Sequence, residues 1–319
     1  MDIREIESIK PSKRAPVSVI IPAYNAERWI KGCVSSVLTQ APPPAEIIVV
    51  NDGSTDNTSV IVHRCFSDIP GMKVLDQPNR GLPAARNRGI LESTQPLIAF
   101  LDADDIWLSN KLNRQVESLY IAGPEYGLCH TLAEIIDESG MVIKRWEDIN
   151  RGNFYFKHGN EITSKLLARG NYLVGSGSSA ILRRECIETI GLFDEDRHTT
   201  EDWPYWYRIS QRYRVLTVRE VLVQIRFSKG AMHANNRKRL ERQLLAIQKM
   251  KTICTIAHFN ILKEAELEAA ATLLLYGIAD SQLRVSLFRK YGASIVPAIL
   301  RKVQKTLING NAYCFKRLK

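Results

Sequence analysis

Leu97-Ile-Ala-Phe-Leu101 is an uninterrupted apolar run, and it ends abruptly in Asp102-Ala103-Asp104-Asp105. Five apolar side chains in a row cannot solvate charge, so the three acids belong where a strand leaves the core. Acids at i and i+2 on extended backbone point to one side. That places Asp102 and Asp104 together in the crevice at a sheet's carboxyl edge, where open α/β sheets bind ligands. Like charges held this close call for a cation, and hard oxygen ligands suit Mg²⁺ or Mn²⁺ shared with a substrate's phosphates. Taken alone, Asp-x-Asp is more often a polar turn whose acids cap the next helix. Asp105, the third acid, is expected to start that helix.

Two further polar sets end apolar runs in the same way. Ile21-Pro22-Ala23-Tyr24-Asn25 follows the first run: small Ala23 lets backbone approach a ligand, Tyr24 offers a flat face, and Asn25 can cap the next helix. Asp52 follows the second. A carboxylate there can accept the N3–H of a uracil or thymine ring, although an Asx turn suits Asn51-Asp-Gly-Ser54 equally well. The ends of neighbouring parallel strands cluster in space, so three polar sets at three strand ends converge on one crevice.

The elements that must position these groups follow from periodicity. Val17–Ile21 reads as a strand stopped by Pro22, and Ile30, Cys33, Val34, Val37 and Leu38 recur at helical spacing. Glu46–Val50 is a second strand, Asn51–Asp56 a turn cluster leading into a helix, and Met72–Leu75 a third strand. A helix follows Gly81, with Pro83 in its first turn, and then comes the Leu97–Leu101 strand. This alternation predicts an α/β fold with a doubly wound, mostly parallel sheet. Beyond it lie a helix over Asn110–Ile121 and a hairpin, Leu128–Ile136 with Met141–Arg145, about Asp137-Glu-Ser-Gly140. Residues 150–180 read as loop, including Gly175-Ser-Gly-Ser-Ser179. Glu201-Asp202 opens a short helix, Arg214–Phe227 is extended, and the chain from Asn236 onward is helical.

Four segments carry a resemblance. Val17-Ser-Val-Ile-Ile-Pro-Ala-Tyr-Asn-Ala26, Ile48-Val-Val-Asn-Asp-Gly-Ser-Thr-Asp-Asn57, Arg80-Gly-Leu-Pro-Ala-Ala-Arg-Asn-Arg-Gly89 and Phe100-Leu-Asp-Ala-Asp-Asp105 are similar, in order and spacing, to the family 2 glycosyltransferases of GT-A fold. The resemblance covers residues 16 to 235. It implies a GT-A domain over 1–235 (nucleotide half 16–105, acceptor half 106–235) with a C-terminal helical extension over 236–319. It implies inverting transfer of a sugar from a UDP-sugar, with Mg²⁺ or Mn²⁺. On this pattern Pro22, Ala23, Tyr24 and Asn25 border the base and ribose, with Glu27 nearby, and Asp52 reads the uracil edge. Arg86 lies by the donor, Asp102 contacts ribose or metal, Ala103 sits between the two acids, and Asp104 binds the metal on the diphosphate.

In the second half, Glu201-Asp202 resembles the family's acceptor-side acid motif, matching Asp202 with the general base and leaving Glu201 as runner-up. The chemistry needs such a carboxylate, to take the acceptor hydroxyl's proton on the face opposite the leaving nucleotide. A single displacement needs no nucleophilic second acid. Simple favourable charge at a helix N-terminus is the competing explanation. Arg226 and His233 match a region where related enzymes close over the diphosphate, and His233 can add a metal ligand, although an ordinary surface histidine is the commoner case. Trp203, Trp206 and Tyr207 share one short helix and favour core packing over sugar stacking. Processive family members carry Gln-x-x-Arg-Trp and membrane spans. Gln211-Arg-Tyr-Arg214 lacks the tryptophan, which favours single-sugar addition.

Charge is unevenly spread. From Asn236 onward there are 16 Lys and Arg against 5 Asp and Glu, whereas the first 235 residues hold 28 against 29. The basic character therefore belongs to the helical appendage. Interleaved with Leu, Ile and Val, it suits an anionic membrane surface, or else a solvated face or a homo-oligomer contact. It carries no nucleic-acid-binding module, so nucleic acid is not an expected partner. A sugar-nucleotide nucleotidyltransferase usually needs a Gly-rich basic loop after the first strand, where this chain has Pro-Ala-Tyr-Asn. The six cysteines stand no closer than 32 residues apart, which suits a reducing compartment better than a zinc cluster or disulfide framework. Met1–Pro16 is charged and has no apolar core, so no secretory leader is expected there, and the Ala269–Ala279 run is shorter than the roughly 20 residues that span a bilayer. The expected location is cytoplasmic, with a glycan or lipid-linked saccharide as acceptor.

Overall fold

The computed structural model describes residues 14–145, 167, 176–196, 198–228, 236–275 and 281–308. These divide into two compact units. The first holds 14–145, 176–196 and 208–228, and the second holds 167, 198–207 and the helices from 236 onward.

The first unit is built on one sheet. Its strands are β1 (Ala15–Ala23), β2 (Pro44–Asp52), β3 (Met72–Gln77), β4 (Leu97–Phe100), β5 (Ile106–Trp107), β6 (Tyr126–Ile136), β7 (Val142–Lys144), β8 (Ile181–Arg183) and β9 (Arg214–Arg226). They run in the order β3-β2-β1-β4-β8-β6-β9-β5, with β7 paired to β6. β3, β2, β1 and β4 are parallel neighbours. Crossovers between them use α1 (Ile30–Leu38), α2 (Thr58–Phe66) and α3 (Leu82–Glu92). Val17, Val19, Ile20 and Ile21 are all fully buried, as expected for a parallel strand covered on both faces. Each such side chain contributes about 1.5–3 kcal/mol through burial.

Three local differences from the sequence reading have physical causes. β1 runs through Pro22 to Ala23 rather than stopping. Its pairing with β4 ends at Ile20–Phe100, and Leu101 N donates to Ile20 O. Even-numbered residues of β1 thus face β4, and Pro22 lies past the end of that ladder, where no N–H is needed. Asp105 does not start a helix. It precedes β5, and α4 (Lys111–Ala122) begins six residues beyond it, after Asn110 with φ 65°. Ser176–Ser179, expected as loop, forms a short helix, α5, with Ser178 and Ser179 fully buried.

The hairpin is present: β6 and β7 pair antiparallel, and Asp137 accepts the N–H groups of Ser139 and Met141 in the turn. β9 fills the extended stretch and lies parallel to β6. After β8 come α6 (Arg184–Ile190) and, further on, α7 (Asp202–Ser210). Trp203, Trp206 and Tyr207 of α7 are all buried, the packing role favoured above.

In the second unit, α8 (Asn236–Ile253), α9 (Ile256–Leu275), α10 (Ser281–Tyr291) and α11 (Val296–Ile308) follow one another, with a 3-10 turn over Gly292–Ile295. Leu240, Leu244, Ala270, Ala271, Leu273, Leu287, Ile295 and Ala298 form its core. Glu266 is buried there, bonded by Lys251 Nζ at 2.8 Å, Lys290 Nζ at 3.1 Å and Tyr291 Oη at 2.7 Å. No helix among the described residues is long and apolar enough to cross a membrane.

Candidate donor site

The acid loop is the turn between β4 and β5. Arg86 enters it from α3, 1% exposed, and its Nη2 donates to Asp102 Oδ1 at 2.8 Å. The guanidinium also lies 5.9 Å from the Phe100 ring centroid and 5.6 Å from that of Phe193. The expectation put Arg86 beside the donor. Here it touches Asp102. Gly177 of α5 makes room for it: a Cβ at that position would sit 2.5 Å from Arg86 Nη2.

Asp104 is half-buried, and its backbone carbonyl accepts Arg226 Nε–H at 3.0 Å. Burial and then the charge of Asp102 push the Asp104 carboxyl up to about 6, against the pull of Arg226. Asp105 is buried. Its Oδ2 accepts Ser178 Oγ–H at 2.5 Å and its Oδ1 accepts the Arg226 backbone N–H at 2.9 Å. Burial, then Asp104 and Asp102, hold this carboxyl well above the usual range. The arrangement gathers three carboxyl groups at one strand end, of which Asp102 is matched by the Arg86 guanidinium.

Arg226 is 7% exposed and reaches further, donating from Nη1 to Asp137 O at 2.9 Å in the β6–β7 turn. Its guanidinium lies 4.3 Å from the Trp29 ring centroid, as does that of Arg28. Arg28 in turn pairs with Glu138 at 2.7 Å. Arg226 thus braces the acid loop from behind.

The second cluster forms at the ends of β1 and β2. Asn25 adopts φ 49°, a left-handed conformation that asparagine tolerates better than most residues. It does not cap α1, which begins five residues later. Instead its Oδ1 accepts Thr55 N–H at 2.8 Å, and its own N–H donates to Ser54 Oγ at 3.0 Å. Glu27 Oε2 accepts the backbone and side-chain N–H groups of Asn57, both at 2.9 Å. These bonds lock the two strand-end turns together. Tyr24, 52% exposed, stands outward from them, while Ala23 is buried.

Asp52 is 3% exposed. Its Oδ1 accepts Gln77 Nε2–H at 2.7 Å and Arg80 N–H at 2.8 Å, and its Oδ2 accepts Gly81 N–H at 2.7 Å. A carboxylate offers about four acceptor sites, and these donors fill three of them. Gly53, at φ +70°, turns the chain just after it, where any Cβ would lie 2.6 Å from Asn79 N.

The remaining residues of the Arg80–Gly89 segment tie down the stretch after α6. Asn87 Oδ1 accepts Phe193 N–H at 2.9 Å while its Nδ2 donates to Phe193 O at 2.9 Å, and Arg80 pairs with Glu195 at 2.8 Å.

Glu201 and Asp202 belong to the second unit, at the start of α7. Asp202 Oδ1 accepts Trp203 N–H at 2.6 Å, and Trp203 Nε1–H reaches Leu167 O at 2.6 Å. His233 lies outside the described residues, as does Gly175. Three roles escaped the sequence reading: the Ser178 hydroxyl as a donor to Asp105, the inward-facing role of Asp105, and the carbonyl-binding role of Arg226. The run of small residues around Ser178 was the visible signal for the first.

Comparison with known proteins agrees with this geometry. The family model described as "Glycosyl transferase family 2" matches residues 18–191, more than half of the chain. An uncharacterized glycosyltransferase of Rickettsia bellii is 34% identical over 214 residues, covering 66% of this chain and 29% of that protein. An Escherichia coli UDP-Glc:alpha-D-GlcNAc-diphosphoundecaprenol beta-1,3-glucosyltransferase is 41% identical over 103 residues, 32% of this chain and 40% of the enzyme. The chain therefore spans well under two thirds of either relative. Among solved structures, the Pyrobaculum calidifontis mannosyltransferase in complex with GDP-Man and Mn²⁺ superposes with a TM-score of 0.60 at 22% identity, covering 96% of this chain and 87% of that one. The fold is GT-A, with helices following the sheet. The chain belongs to glycosyl transferase family 2.

Proposed function

We propose that this glycosyltransferase moves a single hexosyl or N-acetylhexosaminyl unit from a UDP-sugar to a glycan or lipid-linked acceptor, with inversion, in bacterial surface polysaccharide synthesis. The observation that carries the reading is the Asp102–Asp104 pair at the end of β4. Arg86 pairs with Asp102, whereas Asp104 keeps a charge that burial disfavours and no side-chain cation contacts at hydrogen-bond distance among the bonds described.

A divalent cation fits this donor set. Mg²⁺ and Mn²⁺ take one or two carboxylates and leave their other positions to water and substrate phosphates. Asp104 is the direct ligand in this reading, with Asp102 beside it. When bound, the cation stabilises charge on the departing diphosphate. The chain's own groups do the rest. Tyr24, Asn25 and Glu27 border the base and ribose, and the remaining acceptor site on Asp52 Oδ2 receives a uracil N3–H. Asp202 takes the acceptor hydroxyl's proton. The acceptor oxygen then bonds to the anomeric carbon while the bond from that carbon to the diphosphate oxygen breaks, and UDP leaves with the electron pair. One displacement inverts the centre.

The UDP donor and lipid-linked acceptor are supported by the name of the E. coli relative, and the cation by the Mn²⁺ held in the Pyrobaculum structure. For the acceptor's location, the α8–α9 connection exposes Ile253, Phe259 and, at 94%, Ile256, with Lys249 and Lys263 nearby in sequence. That combination suits peripheral attachment to an anionic bilayer on the cytoplasmic side. Ile256→Glu is expected to reduce flotation with phosphatidylglycerol vesicles. Equal flotation with purely zwitterionic vesicles removes the electrostatic part of this reading.

Thermal shift with Mn²⁺ against UDP-, GDP- and dTDP-sugars tests the donor assignment, with the largest stabilisation expected from a UDP-sugar. No shift with any of them sinks it. Asp202→Asn is expected to abolish transfer yet keep UDP binding. Wild-type turnover in that variant places the base elsewhere.

A further inference from the structure

The third acid of the loop has a different place from the other two. Asp105 turns into the protein, and both of its oxygens are engaged: Oδ2 by the Ser178 hydroxyl at 2.5 Å and Oδ1 by the Arg226 N–H at 2.9 Å. Neither partner ends there. Ser178 Oγ, while donating to Asp105, accepts the Asp102 backbone N–H at 3.1 Å. Arg226, held through its backbone, donates from Nε to the Asp104 carbonyl at 3.0 Å. Asp105 N–H donates to Asp102 O at 3.0 Å, closing the turn on itself. The bonds therefore form two arms from a single carboxylate, one ending on the backbone of Asp102 and the other on the backbone of Asp104.

Both arms are anchored in rigid surroundings. Trp107 Nε1–H donates to Ser178 O at 2.8 Å, and Gln115 Nε2–H donates to Ser179 O at 3.0 Å. These bonds fix α5, so the Ser178 hydroxyl has a defined position. On the other side, Arg226 is fixed by the Asp137 carbonyl and the Trp29 ring. Arg86 completes the frame, since it grips the Asp102 carboxylate while lying against Gly177, the residue before Ser178.

We propose that Asp105 is a positioning residue, which through Ser178 and Arg226 sets the spacing and direction of the Asp102 and Asp104 carboxylates for a divalent cation. This rests on the reading of Asp104 as a cation ligand, and it assigns Asp105 no ligand role of its own. Groups that orient ligands in this way typically change metal affinity by 10–100-fold when removed.

Mn²⁺ binding in the presence of UDP, followed by the electron paramagnetic resonance signal of free Mn²⁺, reads this directly without turnover. UDP binding in EDTA serves as the control for folding. Asp105→Asn and Ser178→Ala are each expected to weaken Mn²⁺ about tenfold or more and to leave UDP binding in EDTA unchanged. The double variant is expected to be no worse than the worse single one, because both changes cut the same arm. Wild-type Mn²⁺ affinity in a folded Asp105→Asn protein overturns the proposal. If Asp105→Asn fails to fold, Ser178→Ala decides: wild-type affinity there overturns it equally. Asp104→Ala separates the two levels. If it loses Mn²⁺ while Asp105→Asn and Ser178→Ala retain it, only the positioning role fails, whereas retention in Asp104→Ala removes the cation reading itself.

Discussion

Two carboxylates, Glu266 of the helical unit and Asp104 of the acid loop, are treated oppositely by their surroundings. In the helical unit, Glu266 meets two ammonium groups and a phenol. Burial alone pushes its carboxyl up, but the bonds from Lys251, Tyr291 and Lys290 outweigh that and leave it below the usual range. In the acid loop, Asp104 is pushed up to about 6. The balance differs because Arg86 is committed to Asp102, and Arg226 spends its Nε on a carbonyl rather than a carboxylate. A carboxylate paired within the fold is a staple. One whose charge the fold leaves unmatched is suited to a cation from outside.

This contrast can be broken at four points. Asp104→Ala should lower transfer on the order of 10²–10³-fold or more, the scale of a lost transition-state charge contact, with weaker Mn²⁺-dependent UDP binding. Initial rates and calorimetry would read both effects. Glu266→Gln should do the reverse. Removing one partner of a buried pair costs roughly 3–5 kcal/mol, visible in denaturant unfolding, while kcat at a permissive temperature stays near wild type. A large kcat loss there would show that the staple is more than structural.

Gly177→Ala is expected to cost about 1–3 kcal/mol by overpacking against Arg86, and to weaken Mn²⁺ binding by disturbing the Asp102 pair. A variant as stable as wild type would mean that Arg86 has room to move.

The smallest effects are pH dependences, set by pKa shifts of opposite direction. A proton on Asp104 competes with the cation, so Mn²⁺ affinity should be flat above pH 7 and fall about tenfold per unit below about 6. Glu266 has a lowered folded value, so its stabilisation is present above its unfolded value near 4.5 and lost only as pH falls through the folded one. Between pH 7 and 5 the Asp104 titration should be seen in Mn²⁺ binding, while the difference in unfolding free energy between wild type and Glu266→Gln should stay constant.

Much of the fold was legible because strand–helix alternation is a local pattern. The apolar runs ending at Ile21, Val50 and Leu101 marked three strand ends, and parallel pairing brought them to one edge. Asp105 was misread for an equally definite reason. An acid after a strand looks like a helix start when only its neighbours are visible, yet its partners lie 73 and 121 residues away in Ser178 and Arg226. Motif position placed Arg86 by the donor, and its contact with Asp102 depends on Gly177 leaving space across the chain.

The sequence by itself determined which residue types stand at the strand ends, because apolar periodicity forces polar groups out of the core there, and it determined the family through the spacing of four segments. Only the tertiary structure decided how the acids divide their tasks. Asp102 is paired with Arg86, Asp105 is turned inward to brace the loop, and Asp104 keeps an unmatched charge. That division depends on which distant donors reach each oxygen, and burial makes those few contacts decisive by raising the cost of any charge left without one.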